Sequence, residues 1–438
     1  MGFLGKLASL QKDLSVLKKH AAPVVWVSAA TVTNNVLAFV VNVMAARTLG
    51  AEGFGVFSLA FSLATLVGTM GDLGLNLSMV RLYGKYQQES ERQTGVLRSA
   101  LLLKLALFLI VLGLSFPLGN ALAKKMESGP ESEILFSIAL LTGGLLFLWS
   151  FLQSQLQAYQ LFKQLAIFTM GYSVLRFICL LLAYSLFPTH PLSWLGATYT
   201  VPLVILVIVG FAYRGWGLLS IAAANPKDNF QLFKELLSYS KWVGLSSMAY
   251  TAMPYMARFI LATRSSVADV GIFSAGMTFT MAFSTLNTAV RTVLFPKVVA
   301  MESSQIENYF GYLRRIMPYY AFLTALGVLL LAALQWFFLG EEYREALPVF
   351  LITAIASATV IFLGLATMLI HNIMKPELDA YTNLVRLMGT ILLGYALASK
   401  LQALGMALAY SAIIVLGELY MLHYLRHTLR LSKANNGD

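Results

Sequence analysis

Basic side chains lie inside several long apolar runs of this sequence, where a charge is costly unless it is paired or functional. Arg176 lies near the middle of such a run, roughly 18 Å from either end of a helix. Arg258 and Arg291 lie within two other runs. Because guanidinium groups bind anions through charge-assisted hydrogen bonds, these three arginines are candidate ligands for an anionic substrate.

Amides and acids add further polar groups to the apolar runs. Asn34, Asn35 and Asn42 lie in the first run, where an amide could bind a hydroxyl-rich head group or hold two helices together. Asp72, in the sequence GDLG, and Glu418 are the two acids within the runs. Both are candidates for coupling transport to an ion gradient, although Asp72 could instead pair with a neighbouring arginine. Since bases outnumber acids within the runs, an anionic substrate is favoured over a cationic one.

Several of these bases have a second interpretation, because long basic side chains near the end of a span can extend to the membrane surface. Lys104, Arg386 and Arg291 lie a few residues from cytoplasmic ends of predicted spans, and Arg258 lies near an outer end. Depth favours an interfacial position for the first three and does not decide the fourth. Only Arg176 is too deep for this interpretation, and we expect it to face an aqueous cavity.

No pattern of catalytic residues is found in the sequence. It contains neither the phosphate-binding loop of ATPases nor the His-Glu-x-x-His pattern of zinc proteases, and the single cysteine, Cys179, excludes an intrachain disulfide. We therefore expect a transporter rather than an enzyme. It would use no cofactor and would run on a proton or sodium gradient or on the substrate's own concentration difference.

The composition indicates that the apolar runs that hold these polar residues are membrane spans. Of the 438 residues, 58% are hydrophobic and 12% are charged, which is too little charge for the surface of a soluble protein of this length. The sequence predicts an all-α polytopic membrane protein with twelve spans. The predicted spans are approximately 24–46, 55–80, 99–121, 133–156, 164–187, 194–213, 242–262, 271–294, 316–339, 348–371, 381–399 and 403–423.

The distribution of Lys and Arg predicts the orientation of these spans. The loops on the side of the termini carry 20 of the 31 Lys and Arg residues, the opposite loops carry 6, and 5 lie within spans. By the positive-inside rule both termini are cytoplasmic, and the net charge of +11 reflects topology rather than nucleic-acid binding. The outer loops are too short to hold the active site of a glycan polymerase or ligase.

The twelve spans fall into two predicted lobes, 24–213 and 242–423. A cytoplasmic amphipathic segment, 1–23, precedes them, a cytoplasmic linker with an amphipathic helix, 214–241, joins them, and a cytoplasmic tail, 424–438, follows. With an offset of 216 residues the second half aligns sparsely with the first, for example Gly55 with Gly271 and Ser58 with Ser274. A duplicated six-span unit is typical of transporters whose substrate path lies between two lobes.

Four short segments resemble the polysaccharide transporter family, the Wzx-type O-antigen flippases of the MOP superfamily. They are ARTLGAEGFGVFS at 46–58, GDLGL at 71–75, KELLSYS at 234–240 and DVGIFSA at 269–275. The resemblance implies a V-shaped, MATE-like pair of six-helix lobes. It also implies a flippase that moves a polyprenyl-pyrophosphate-linked oligosaccharide across the bacterial inner membrane for cell-surface polysaccharide synthesis.

The resemblance also bears on individual residues and partners. It implies that spans 1, 2, 7 and 8 line the cavity, which favours Arg258 and Arg291 as cavity residues. The family often has an acid near the position of Arg258, and its absence here argues against acid-based coupling at that point. The expected partners are the lipid-linked glycan, membrane lipids and other biosynthesis proteins such as a polymerase, but no nucleic acid.

Two alternatives stay open from the sequence. A MATE-like, cation-coupled multidrug exporter has the same two-lobed plan, but it would need acids in its cavity. A major facilitator also has six plus six spans, but the pattern that usually follows its second span is missing from residues 81–98.

Overall fold

The computed structural model describes residues 3–72, 74–125, 130–215, 226–299, 301, 303–373 and 376–435. Within these ranges the chain is helical, with short turns and no strand. The helices are α1 (Phe3–Met70), α2 (Leu75–Lys85), α3 (Ser90–Lys125), α4 (Pro130–Ala158), α5 (Phe162–Leu186), α6 (Pro191–Leu195), α7 (Val201–Gly210), α8 (Pro226–Arg264), α9 (Val267–Val299), α10 (Ser303–Leu339), α11 (Ala346–Thr367) and α12 (Pro376–Asn435). A π-helical turn, Gly196–Thr200, joins α6 to α7, and a second, Phe211–Gly215, extends α7.

Nine helical stretches in the described part of the chain are long and apolar enough to cross a bilayer. Two of them, Val25–Lys85 with 61 residues and Glu377–Leu429 with 53, are much longer than the roughly 20 residues that one crossing needs. Each stretch has a kink at one residue within a long helix, Gly50 in α1 with φ 69° and Gln402 in α12 with φ 53°, and the first stretch also contains the turn between α1 and α2. The two kinks fall between predicted spans 1 and 2 and between predicted spans 11 and 12. The polytopic all-α fold is confirmed, and the count of twelve spans stays a prediction.

Helix boundaries recur with the offset of 216 residues that the sequence alignment suggested. α4 starts at Pro130 and α11 at Ala346. The kink at Gly50 corresponds in the same way to Ser266, which separates α8 from α9. The repeat that was sparse in sequence is therefore evident in the placement of helix ends.

Two predicted segments join the helices that follow them. α1 continues without a break from Phe3 into the first predicted span, and the side chains of residues 3–24 lie outside the described part, so their interfacial position stays a prediction. α8 runs unbroken from Pro226 to Arg264, which makes the linker helix and the seventh predicted span one helix. Its buried Leu232 and Leu236 pack against α2 and α3 of the first half.

The two halves of the chain meet where α1 crosses α9. A Cβ atom on Gly55 would lie 2.0 Å from the carbonyl oxygen of Val267, and one on Gly271 would lie 1.9 Å from the carbonyl oxygen of Ala51. The two contacts exchange positions under the repeat, because Ala51 aligns with Val267 and Gly55 with Gly271. Glycine is required on both helices for backbones this close together.

Candidate functional site

A cavity of about 520 Å³ lies between the two halves of the chain. Side chains from both halves line it, among them Asn34, Ser58 and Arg176 from the first half and Arg258, Ser274 and Arg386 from the second. Its lining, taken over the described residues, includes no aspartate or glutamate. The volume lies within the range of small-molecule sites in proteins, and the charge of the lining is positive.

Arg176 projects from α5 into this cavity and is only 3% exposed. Its guanidinium donates a 2.6 Å hydrogen bond to the hydroxyl of Tyr199 and lies 4.3 Å from the centre of that ring. Its Nε has no hydrogen-bond partner, and no carboxylate of the described chain lies within ion-pair distance of the side chain. The expectation that Arg176 faces a cavity is therefore met by its position.

Arg258, on α8, also lines the cavity. Its Nε donates to Ser274 at 2.9 Å and one terminal nitrogen donates to Ser62 at 3.1 Å. Ser62 belongs to the first half of the chain and Ser274 to the second, so the guanidinium joins the two halves. Like Arg176, it forms no ion pair with any acid that the structure describes.

Arg386 reaches the same cavity, which the interfacial interpretation did not predict. It is 6% exposed and pairs with Glu418 at 3.3 Å, and the second carboxylate oxygen of Glu418 accepts a 3.0 Å bond from Thr367. Arg386 also donates to Asn383 at 3.1 Å. Gly417 makes room for it, because a Cβ there would lie 1.9 Å from Nε of Arg386. The sequence signal that could have identified this partner is Glu418 itself, an acid that follows Gly417 within an apolar run.

Asp72 lies outside this cavity and is bound to another buried base. Lys104, which is fully buried, donates to Asp72 at 3.1 Å, to Asn76 at 2.8 Å and to Ser150 at 2.9 Å. The interfacial interpretation of Lys104 is therefore wrong, and the structural-partner interpretation of Asp72 is met by a lysine rather than an arginine. Neither Asp72 nor Glu418 is among the described residues that line the cavity. Each of these candidate coupling acids forms an ion pair, Asp72 with Lys104 and Glu418 with Arg386.

The three predicted amides line the cavity, and each contacts another helix. Asn34 accepts a 3.0 Å bond from Ser173, and Asn35 donates at 3.0 Å to Thr285 in the second half. Asn42 approaches the sulfur of Met281 at 4.0 Å. These contacts agree with interhelical bonding, and binding of a head group stays a prediction.

Arg291 is not among the residues that line the cavity. Its guanidinium lies against Gly364 on α11, where a Cβ would be 3.5 Å from a terminal nitrogen, and its Nε has no hydrogen-bond partner among the described residues. Of the three candidate arginines, the structure brings Arg176 and Arg258 together and leaves Arg291 apart.

Tyrosines contribute much of the cavity wall, and nothing in their sequence positions distinguishes them from core or interfacial aromatics. The tyrosines concerned are Tyr172, Tyr199, Tyr250, Tyr255 and Tyr410. Tyr199 packs 4.5 Å from Phe61, centre to centre, and Arg258 lies 5.4 Å from the ring centre of Tyr255. Such a wall presents hydroxyls and ring faces beside the arginines, a combination suited to sugars and phosphates together.

The end of the cavity near Phe54 and Phe57 is closed by contacts between the two halves. Both phenylalanines are 1% exposed, and the close approach of Gly55 to Val267 lies beside them. Glu342, from the second half, accepts a 2.7 Å bond from the backbone N–H of Ala51. The hydroxyl of Tyr343 donates to the carbonyl of Ala46 at 2.8 Å. We call this set of contacts the outer closure, after the orientation that the distribution of Lys and Arg predicts.

Comparison with known proteins places this architecture in a family. The model of a family described as "Polysaccharide biosynthesis protein" matches residues 21–302, more than half of the chain. The chain belongs to this family. This polysaccharide biosynthesis protein family member is 24% identical over 393 residues to the "Putative O-antigen transporter" of Shigella flexneri. The match covers 86% of this chain and 90% of that protein.

Solved structures show the fold of this family member. It superimposes with a TM-score of 0.72 and 14% identity on an inward-facing MATE-family multidrug transporter of the MOP superfamily, covering 92% of this chain and 96% of that one. The lipid II flippase MurJ in an inward closed conformation gives a TM-score of 0.66 at 16% identity, covering 92% and 87%. The MOP-type fold and the resemblance drawn from the four segments are confirmed. The expectation of a transporter rather than an enzyme is also confirmed, since these relatives are transporters and flippases.

Proposed function

We propose that this chain is a flippase for a lipid-linked, polyprenyl-pyrophosphate oligosaccharide, and that it works by alternating access between two lobes. The observation that carries the proposal is the pair Arg176 and Arg258, which line one cavity and have no carboxylate partner among the described residues. A buried guanidinium without a counterion gains most when an anion arrives. The pyrophosphate of such a substrate is an anion of the required kind.

The physical problem of flipping is the polar head group, because sugars and phosphates cannot enter hydrocarbon without losing their hydrogen bonds. In the proposed mechanism the two arginines bind the pyrophosphate while hydroxyls such as those of Tyr199 and Ser274 bind the sugars. The polyprenyl tail stays in the bilayer throughout. The names of two similar proteins, the "Putative O-antigen transporter" of Shigella flexneri and the lipid II flippase MurJ, support this class of substrate.

The outer closure supports alternating access. The contacts of Gly55 with Val267 and of Gly271 with Ala51 join the halves at one end of the cavity, and the inward-facing MATE structure has the same fold. We propose that these contacts close the outer side, in the orientation that the 20-to-6 distribution of basic residues predicts. Separation of α1 from α9 would then open the cavity outward.

Cysteine accessibility tests the outer closure. In a Cys179→Ser background, a cysteine replacing the buried Ser58 reports whether a membrane-impermeant maleimide enters from outside. Gly55→Ala places a methyl group against the backbone of Val267, so we expect faster outside labelling. The matched control is Gly327→Ala, because nothing lies within 4 Å of a Cβ at Gly327. Equal labelling of Gly55→Ala and the control would contradict the proposed role of the closure.

Reconstituted transport tests the function. Proteoliposomes that hold the purified chain and a fluorescent polyprenyl-pyrophosphate oligosaccharide should move the label between leaflets faster than protein-free liposomes. The alternative is a MATE-like, cation-coupled multidrug exporter, and efflux of a cationic dye with no movement of the glycan would favour it. The absence of acids from the described cavity lining argues for the first outcome.

Energy coupling completes the proposal. The candidates for a proton or sodium site are Asp72 and Glu418, each of which would have to exchange its basic partner for the ion. Collapse of the proton gradient, and separately of the sodium gradient, during the flipping assay distinguishes the two ions. Equal rates in both cases would indicate movement down the substrate's own gradient.

The proposed setting is the bacterial inner membrane, with both termini in the cytoplasm. Further partners would be the enzymes that build and polymerise the glycan, such as a polymerase. Co-purification of the full-length chain with a polymerase after mild detergent extraction would test this association.

A further inference from the structure

A second cavity of about 740 Å³ runs along the outside of the second half of the chain. It lies between α10 and α11 and extends to the C-terminal part of α12. Its wall is apolar over most of its length, with side chains such as Met317, Leu329, Ile355 and Phe362. Met317, Leu329 and Ile355 are 56%, 67% and 57% exposed, so the groove is open along the apolar face of the protein.

This groove, which we call the α10–α11 groove, is separate from the central cavity. α11 presents Ser357 and Ile361 to the central cavity and Ile355 and Phe362 to the groove. At 100° per residue these pairs lie on opposite faces of the helix. A molecule in the groove is therefore divided from the substrate path by the full width of α11, and it faces lipid.

One end of the groove is basic. Arg314 on α10 and Arg426 on α12 line it, and both side chains are exposed. No ion pair involves either of them within the described residues, and the described lining includes no acid. Both belong to the loops and tail that the charge distribution places on the cytoplasmic side, which is where acidic lipid head groups attract Arg and Lys.

The length of the groove fits a lipid chain. From Arg314 to Leu329 along α10 is about 22 Å at 1.5 Å per residue, which exceeds the roughly 15 Å depth of one leaflet of the hydrocarbon core. A chain that starts at the basic end can therefore lie in the groove over its full extension.

We propose that the α10–α11 groove binds an acidic phospholipid of the cytoplasmic leaflet, with one acyl chain between α10 and α11 and the phosphate between Arg314 and Arg426. The lipid would complete the packing of α10 on the face that lines the groove, where Met317 and Leu329 are exposed. The site is independent of the proposed transport function, because Arg314 and Arg426 lie outside the central cavity in which the substrate's pyrophosphate is proposed to bind.

Lipid retention in native mass spectrometry tests this site on the purified full-length chain. We expect wild-type protein to retain phosphatidylglycerol more strongly than phosphatidylcholine of the same acyl chains. Arg314→Gln combined with Arg426→Gln should reduce phosphatidylglycerol retention roughly tenfold. Arg315→Gln is the matched control, since this neighbouring arginine does not line the groove and its removal should leave retention unchanged.

A steric variant tests the acyl-chain part of the site. Ala325 lines the groove and is exposed, so Ala325→Phe fills the groove without entering the core and should reduce retention of both lipids. Equal retention of the two lipids, or an equal loss in Arg315→Gln, would overturn the proposal. Preferential retention of polyprenyl phosphate over phosphatidylglycerol would also overturn it, by assigning the groove to a substrate tail.

Discussion

Arg258 and Arg386 lie on neighbouring helices of the second half and line the same cavity, but their electrostatic surroundings differ. Arg386 is paired with Glu418 at 3.3 Å, whereas Arg258 bonds only the hydroxyls of Ser62 and Ser274 among the described residues. The first half repeats the contrast, with Lys104 paired to Asp72 and Arg176 bonded to Tyr199. Among the described residues, each half thus holds a buried base that is paired with an acid, Lys104 or Arg386, and a cavity arginine that is not, Arg176 or Arg258.

This difference separates two uses of a buried charge. A paired base has its charge compensated within the protein, and its loss or the loss of its partner affects folding. A base bonded only to neutral groups keeps its net charge for an anion that comes from outside. We infer that Arg386 and Lys104 stabilise the lobes and that Arg176 and Arg258 bind the substrate.

The largest expected effect is on stability, from Glu418→Gln. This change leaves Arg386 buried at 6% exposure without a counterion, and breaking a buried ion pair costs about 3–5 kcal/mol. Thermal unfolding in detergent should show a clear loss of stability, which a second change, Arg386→Gln, should partly reverse. Glu345→Gln, at an exposed acid, is the control. Unfolding of Glu418→Gln at the wild-type temperature would remove the basis for calling Arg386 structural.

Asp72→Asn should have a smaller effect of the same kind. The side chain of Asp72 is 31% exposed and that of Lys104 is 1% exposed, and Lys104 keeps its bonds to Asn76 and Ser150. We expect a loss of about 1–3 kcal/mol, the cost of weakening a hydrogen bond to a charged buried group. Lys104→Met in the same background should recover part of the loss in thermal unfolding. A loss as large as that of Glu418→Gln would show that the two pairs are equivalent.

Arg258→Gln should change stability by less than about 1 kcal/mol. Two hydrogen bonds to hydroxyls are weakened, but the free-energy cost of holding a charge without a counterion away from water is removed at the same time. The same unfolding measurement checks this expectation. A destabilisation equal to that of Glu418→Gln would erase the contrast between paired and unpaired bases.

The smallest effect is expected at an exposed pair between the halves. Glu235 accepts from Lys85 at 2.6 Å and from Tyr86 at 2.8 Å, and the bond from Lys85 holds the pKa of Glu235 below its usual value. The contribution of this ion pair to the free energy of unfolding is complete above the unfolded-state pKa of Glu235, about 4.3. It disappears as the pH falls through the lower pKa of the folded state. Glu235→Gln should unfold slightly earlier than wild type at pH 7. The difference should vanish once the pH has fallen below the folded pKa of Glu235, and in high salt, and a difference that persisted there would exclude an ionic origin.

Sequence reasoning located Arg176 and Arg258 better than Lys104, Arg386 and Arg291, the last of which the resemblance favoured as a cavity residue although it is not among the described cavity residues. Arg176 could be placed in a cavity because no surface lies within its reach, and Arg258 because the family resemblance assigns its span to the cavity wall. Arg386 and Lys104 were misinterpreted because depth cannot show which direction a side chain takes. Arg386 turns inward because Gly417 leaves room and Glu418 provides a counterion, a relation between residues more than 30 positions apart. The repeat was visible in sequence at Gly55 and Gly271, but only the structure shows that the aligned residues contact each other.

The central claim is that Arg176 and Arg258 bind the phosphate groups of the substrate. The most direct test is the translocation rate of a labelled polyprenyl-pyrophosphate oligosaccharide in proteoliposomes containing wild type, Arg176→Gln or Arg258→Gln. Arg264→Gln, on the same helix as Arg258 but outside the cavity lining, is the control. We predict a loss of about tenfold to a hundredfold in each cavity variant, partial recovery with lysine and no change in the control. Wild-type rates in both glutamine variants would contradict the account.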